Sequence, residues 1–231
     1  MRERTLDGRL SSVAMLVREG ALLADVGTDH AYLPLFLLRT GRIRGAVCSD
    51  INEGPLESAR QNAREAGLLD RCRFLLTDGA AELEGLGVSD VAIAGMGGEL
   101  IADIIERAPF LRDENIRLIL QPMSRQAHLR RYLALSGFEI FREEYSHSAG
   151  KFYLTVGARF CGVGRELDAT EAELGLLCRG GEVSDAARGY LRARARALEK
   201  AVRGRGDDAS EEAMLLLHIR KILGNTDGEK L

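Results

Sequence analysis

Five short apolar runs recur through the first half of the chain: LLADV (22–26), GAVCSD (45–50), CRFLLTD (72–78), DVAIAG (90–95) and IRLILQP (116–122). Four helix-like stretches separate them, at residues 33–40, 54–66, 99–108 and 125–136. The runs are continuously apolar rather than alternating, the pattern of strands in a sheet covered on both faces. Strand-then-helix repetition predicts parallel βαβ units with right-handed crossovers. After Gly137 the pattern changes. FEIFREEYS (138–146) and KFYLTVGARF (151–160) flank His147-Ser148-Ala149-Gly150, which reads as an antiparallel hairpin around a short polar loop. The expected fold is α/β, with a mostly parallel seven-stranded sheet ending in an antiparallel hairpin. That ending differs from the six parallel strands of the nicotinamide-binding fold.

Residues 6–18 set Leu6, Leu10, Val13, Met15, Leu16 and Val17 at near-helical spacing, which predicts an N-terminal helix covering the sheet. Beyond Gly164 the chain reads as helical. Leu191, Ala195, Leu198 and Val202 step by four, three and four. After Gly204-Arg205-Gly206-Asp207, Leu215, Ile219 and Ile222 step by four and three. Asp208 with Glu211 has the spacing of a capping box. Two such seams across a glycine turn predict a helical hairpin. The expected division is residues 1–160 as the sheet domain and 161–231 as a helical, coiled-coil-like unit.

Composition narrows the classes. A chain of 231 residues with 45% apolar content fits one α/β domain and a small appendage. No run approaches the ~18 apolar residues of a membrane span. The start, MRERTLDGRLSSVA, has no apolar signal core, so the expected location is cytoplasmic. Cys48, Cys72, Cys161 and Cys178 form no C-x-x-C pair, and the four histidines lack metal-ligand spacing, so no metal is expected. The net charge of −3 gives no global nucleic-acid signal. Locally, Arg188, Arg192, Arg194, Arg196, Lys200, Arg203 and Arg205 stand against the single acid Glu199, the pattern of a solvated helix face or of an arm along phosphates. Arg125, Arg130 and Arg131 extend that path toward the sheet.

The candidate chemistry lies at strand ends. LLADVGTDHAYLP (22–34) ends an apolar run in Asp25, turns at Gly27 and enters a helix near Pro34. A dinucleotide turn needs G-x-G-x-x-G so that a pyrophosphate can reach the helix N-terminus. Here the second glycine position is Asp29, whose carboxylate repels phosphate and suits a cationic or hydroxylated ligand. S-adenosylmethionine carries a sulfonium, an ammonium and a ribose without phosphate. Asp50, 23 residues after Gly27, can accept both ribose hydroxyls, with Ile51 beside it. Asp78-Gly79 ends the third run, where the carboxylate can accept from an adenine amino group. Ala94-Gly95-Met96-Gly97-Gly98 ends the fourth, and its glycines let backbone approach a ligand. The Asn/Asp-Pro-Pro-Tyr/Phe motif of amino-group methylating enzymes is absent there, which points away from an exocyclic amine. Gln121-Pro122 can offer an amide to a substrate. His30, beside Asp29, is the most suggestive histidine.

DVGTDHAYLP, SDINEGPLESARQNAREAGL, TDG, VAIAGMGGELI, LILQPM and GKFY, in this order, resemble the bacterial tRNA (adenine(22)-N1)-methyltransferase family. The resemblance is close over residues 9–158 and looser over the helical tail. It implies a class I, Rossmann-like S-adenosylmethionine-dependent fold and methyl transfer to N1 of an adenine in the tRNA D-arm region. It assigns the cofactor to Asp25, Gly27, Thr28, Asp29, Asp50, Ile51, Asp78, Gly79, Ala94, Gly95 and Met96. Substrate contacts are expected from Gly97, Gly98, Gln121, Pro122, Arg125, Arg192 and Arg196. Asp29, His30 and Tyr32 are expected at the reacting atoms. Ala80 departs from the pattern, where a large apolar residue is expected. The expected partner is tRNA, with no membrane or metal, and the chain acts as a monomer or a dimer. The alternatives are a methyltransferase acting on another RNA or a small molecule, a nicotinamide-dependent oxidoreductase, and a non-enzymatic RNA-binding module.

Overall fold

The protein is described by a computed structural model covering residues 5–180, 182–205 and 210–224. The element order is α1 (Gly8–Leu16), β1 (Ala21–Val26), α2 (Tyr32–Arg39), β2 (Ile43–Asp50), α3 (Glu53–Glu65), β3 (Cys72–Leu76), β4 (Asp90–Gly97), α4 (Gly98–Glu106), β5 (Arg117–Ser124), α5 (Gln126–Leu135), β6 (Phe138–Ser148), β7 (Lys151–Phe160), α6 (Ala169–Leu174), α7 (Asp185–Arg205) and α8 (Glu211–Gly224). The strands form one sheet in the order β3-β2-β1-β4-β5-β7-β6. Pairing from β3 to β5 is parallel, and β7 is antiparallel to both β5 and β6. The seven-stranded sheet and its closing hairpin agree with the sequence pattern.

Continuous apolar strands bury both faces. One face builds a core with α4 and α5 around Val26, Val91, Ile93, Ile101 and Leu129. The other builds a core with α1, α2 and α3 around Val13, Leu23, Leu33, Cys48 and Ala59. Asp7 caps α1, its side chain accepting from the Leu10 N–H at 2.7 Å. The hairpin loop is tighter than the expected four residues. β6 runs through His147 and Ser148, and only Ala149 (φ 48°) and Gly150 (φ 75°) turn the chain. Two consecutive positive φ angles match the right-handed strand twist, so the strands pair up to the turn.

The helical unit docks on this hairpin. Leu191, Ala195 and Leu198 of α7 bury against Leu215, Leu216 and Ile219 of α8. The Tyr145 and Tyr190 rings lie 5.0 Å apart. A Cβ on Gly189 would stand 2.3 Å from the Phe152 ring, so only glycine lets α7 come this close to β7. The expected Asp208 cap lies outside the described residues.

Arg130 is a correction to the basic path. It is fully buried, not exposed. Its Nε meets Glu143 Oε1 at 2.6 Å, and its Nη1 donates to the carbonyls of Ala172 and Glu173, both at 2.9 Å. Burial alone would lower its pKa, and the Glu143 carboxylate more than reverses this. Arg130 therefore clamps α5, β6 and α6 together and is inaccessible to phosphate. The described helices include none long and apolar enough to cross a membrane.

Candidate active site at the carboxyl edge of the sheet

β1 stops because Gly27 takes φ +75°. The N–H groups of Gly27 and Thr28 both donate to the Ser49 carbonyl, at 2.8 and 2.9 Å. These donors are used within the sheet, so the turn is no phosphate cradle. Thr28 is buried and its hydroxyl donates to Asp25 Oδ2 at 2.5 Å. Asp25 itself is 8% exposed. Burial raises its pKa from 3.8 to about 6, opposed by the Thr28 hydroxyl and by Arg9 and reinforced by Asp50. Asp25 and Thr28 thus shape the turn from below instead of presenting their side chains to solvent. A Cβ on Gly27 would stand 2.1 Å from Met96 Cε, which brings the β1 and β4 ends into contact.

The next residues face solvent. The Asp29 side chain is 78% exposed, and its Oδ1 lies 3.4 Å from His30 Nε2. Ala31 caps α2 in the left-handed region at φ 54°. Asn62 of α3 donates to the His30 carbonyl at 3.0 Å, anchoring the strained segment. The His30 and Tyr32 rings pack at 5.1 Å, and both are partly exposed. Asp29, His30 and Tyr32 therefore share one mouth beside the β1 turn.

Two more acids stand on the same edge. Asp50 Oδ1 accepts from the Asn52 N–H at 2.8 Å, which turns the chain away and leaves Ile51 62% exposed. Asp78 is exposed after β3, beside Gly79 at φ +86°.

Residues Ala94–Gly97 form the bulged end of β4, and Gly98 opens α4. The β4–β5 register shifts at Met96 and Gly97, and Gly95 takes φ +82°. Gln121 explains the bulge. Its Oε1 accepts from the Gly95 N–H at 3.1 Å and from Arg9 Nη1 at 3.1 Å, while its Nε2 donates to the Pro122 carbonyl. Both Gln121 and Pro122 are buried, so they are not exposed substrate contacts; Gln121 braces the strand ends. Gly98 is also buried. A Cβ there would stand 2.4 Å from the Arg125 carbonyl oxygen, so its role is close packing of α4 on the β5 turn. Arg125, at φ 57°, is exposed and lies 3.5 Å from Glu99. Met123 and Leu100, unpredicted, expose apolar surface on the same rim.

Arg9 is the residue the sequence reading missed. It sits on α1, yet its guanidinium reaches the Gly95 bulge, with Nη1 3.6 Å from the place of a Gly95 Cβ. Nothing in the helical spacing of residues 6–18 marks Arg9, because its partner Gln121 lies 112 residues away along the chain.

On α7, Arg192, Arg196, Lys200 and Arg203 are all exposed at steps of four, four and three, one helix face. Arg194 instead meets Glu173 of α6 at 2.9 Å. The Arg205 side chain lies outside the described residues.

Residues 6–156 match a family model described as a methyltransferase domain. The chain belongs to this methyltransferase family. Within it, the chain is similar to proteins named as tRNA (adenine(22)-N1)-methyltransferases. It is 35% identical to the Bacillus subtilis protein of that name over 153 residues, which cover 66% of this chain and 64% of that protein. The chain thus matches just under two thirds of that relative's length. The Streptococcus pneumoniae protein Sp1610, solved in complex with S-adenosyl-L-methionine, superposes with a TM-score of 0.82 at 35% identity, covering 95% of this chain and 100% of that one. Bacillus subtilis TrmK superposes at 0.80 with 25% identity over 96% and 100%.

Proposed function

We propose that this protein transfers a methyl group from S-adenosyl-L-methionine to N1 of an adenine in tRNA, at position 22 as in the Bacillus subtilis relative. The observation that carries the reading is the carboxyl edge: Asp29, Asp50 and Asp78 present three exposed or half-exposed acids at successive strand ends, around a turn whose own N–H donors are spent. Such an edge repels a pyrophosphate and accepts a ligand with a sulfonium, an ammonium and a ribose. The bulged glycines of β4 and the Gly27–Met96 contact give the narrow floor that such a ligand fits.

In this reading Asp50 and Ile51 hold the ribose, and Asp78 and Gly79 hold the adenine. Gly27, Ala94, Gly95 and Met96 line the methionine part. Asp25 and Thr28 act through the turn they shape. Arg9 is the cation that faces the cofactor's carboxylate. The bound cofactor supplies an electrophilic methyl group. Adenine N1 already carries a lone pair, so no strong base is needed, and the protein contributes mainly alignment, an effect worth up to ~7–11 kcal/mol. The methylated ring is cationic. Asp29, at the mouth, favours that charge and accepts from the ring's amino group. His30 and Tyr32 shape the pocket, with Tyr32 a stacking surface. The adenine leaves its stack to enter. Arg125 and the exposed α7 face, Arg192 and Arg196 included, run along the tRNA phosphates. We read residues 161–231 as the RNA-holding unit and residues 1–160 as the catalytic one.

Nucleoside mass spectrometry of tRNA incubated with the protein and S-adenosyl-L-methionine tests this. N1-methyladenosine is expected. A product carrying only N6-methyladenosine, or no methylated nucleoside, overturns it.

A further inference from the structure

Asp78 does not stand alone. Its Oδ2 accepts from Arg107 Nη1 at 3.0 Å. Arg107 is the C-cap of α4, so the contact ties the turn after β3 to the far end of the helix that starts at the glycine-rich strand end. Asp103, one turn back on α4, holds the Nε edge of the same guanidinium at 3.1 Å. With two edges engaged, the plane of the guanidinium is set. That plane runs beside Gly79: a Cβ there would stand 3.7 Å from Arg107 Nη2 and 3.9 Å from Ile104 Cγ1. Ala80, where the family resemblance calls for a large apolar residue, is buried and offers no bulk to this turn. The wall at this strand end is therefore built by Arg107 and Ile104.

We propose that Arg107 is a positioning residue for adenine recognition, fixing the Asp78 carboxylate so that it accepts from the amino group of the cofactor's adenine. The inference rests on the proposed placement of adenine at Asp78-Gly79. An exposed aspartate on a turn samples several rotamers, and ordering it on binding opposes affinity; a preset carboxylate avoids that loss. Arginine suits the task because its planar fork engages Asp78 and Asp103 on separate edges, which a lysine ammonium cannot do.

Calorimetric titration of the full chain with S-adenosyl-homocysteine and with S-inosyl-homocysteine tests it. The second ligand carries a ring carbonyl in place of the amino group and an N1–H in place of the N1 lone pair, so the affinity ratio reads that one edge of the base. The wild type is expected to prefer S-adenosyl-homocysteine by roughly tenfold or more, the effect of a hydrogen bond to a charged group. Arg107→Ala is expected to weaken S-adenosyl-homocysteine by roughly 1.4- to 5-fold, the range of an exposed charged pair, and to leave S-inosyl-homocysteine unchanged. Arg107→Lys falls between. In an Asp78→Ala background, Arg107→Ala has no further effect. Both side chains are largely exposed, so the variants are expected to fold. An unchanged ratio in Arg107→Ala, or an equal loss for both ligands, overturns the inference. A wild type that binds neither ligand overturns the cofactor reading itself.

Discussion

Asp25 lies under the turn after β1 as a nearly buried acid, and its protonation ties stability to pH. Burial raises its pKa from 3.8 to about 6. In the unfolded chain the group titrates near its ordinary value. Between about pH 4 and pH 6 the native state therefore keeps a proton that the unfolded chain has released. Stability falls as pH rises through that window and levels off above it. A shift of about two units is worth ~3 kcal/mol, or roughly 6–12 °C in Tm for a chain of this length. Asp25→Asn keeps the shape and an acceptor for the Thr28 hydroxyl but cannot titrate. Urea unfolding of both proteins from pH 4 to pH 7 is expected to show the variant gaining ~3 kcal/mol on the wild type across the window. A difference that stays constant with pH would refute the argument. A cationic ligand above the turn favours the carboxylate, so S-adenosyl-L-methionine is expected to bind more tightly as pH rises through 6, with proton release. Binding heats that are the same in buffers of different ionisation enthalpy would exclude that link.

Four other outcomes follow from particular contacts. Asp29→Ala is expected to abolish methyl transfer while leaving tRNA affinity nearly intact; near-normal single-turnover rates would exclude its role at the ring. Gly98→Ala places a Cβ against the backbone of Arg125 and Ser124, so overpacking is expected to destabilise by about 1–3 kcal/mol, read by denaturant unfolding. Replacing Arg196 and Lys200 by Gln removes two cations from the exposed α7 face. It is expected to weaken tRNA binding and to lower the salt slope by about one per lost phosphate contact, and an unchanged slope would take the arm off the RNA. Arg130→Ala leaves Glu143 buried without its cation, a loss of about 3–5 kcal/mol. The double replacement by Met and Leu is expected to recover most of it.

Much of the scaffold was legible in the chain. The continuous apolar runs marked all five parallel strands, because a strand covered on both faces has no polar face to keep. The strand ends were legible too, since Asp50, Asp78 and the glycines of 94–98 must fall where an apolar run stops. Hairpin length was misjudged because a two-residue turn needs only two positive φ angles, and Ala149 supplies one without being glycine.

The sequence by itself determined the order of elements, the edge where the acids gather and the exposed basic face of α7. Those are local properties of period, turn and charge. Only the tertiary structure decided what the long polar side chains do. Arg130 reads as one more cation on a basic path until α6 closes over it. Gln121 reads as a substrate amide until its oxygen is seen taking both Gly95 and Arg9. Arg9 and Gln121 lie 112 residues apart along the chain. A flexible side chain's partner is fixed by which backbones the fold brings within its reach, and no local pattern in the sequence encodes that distance.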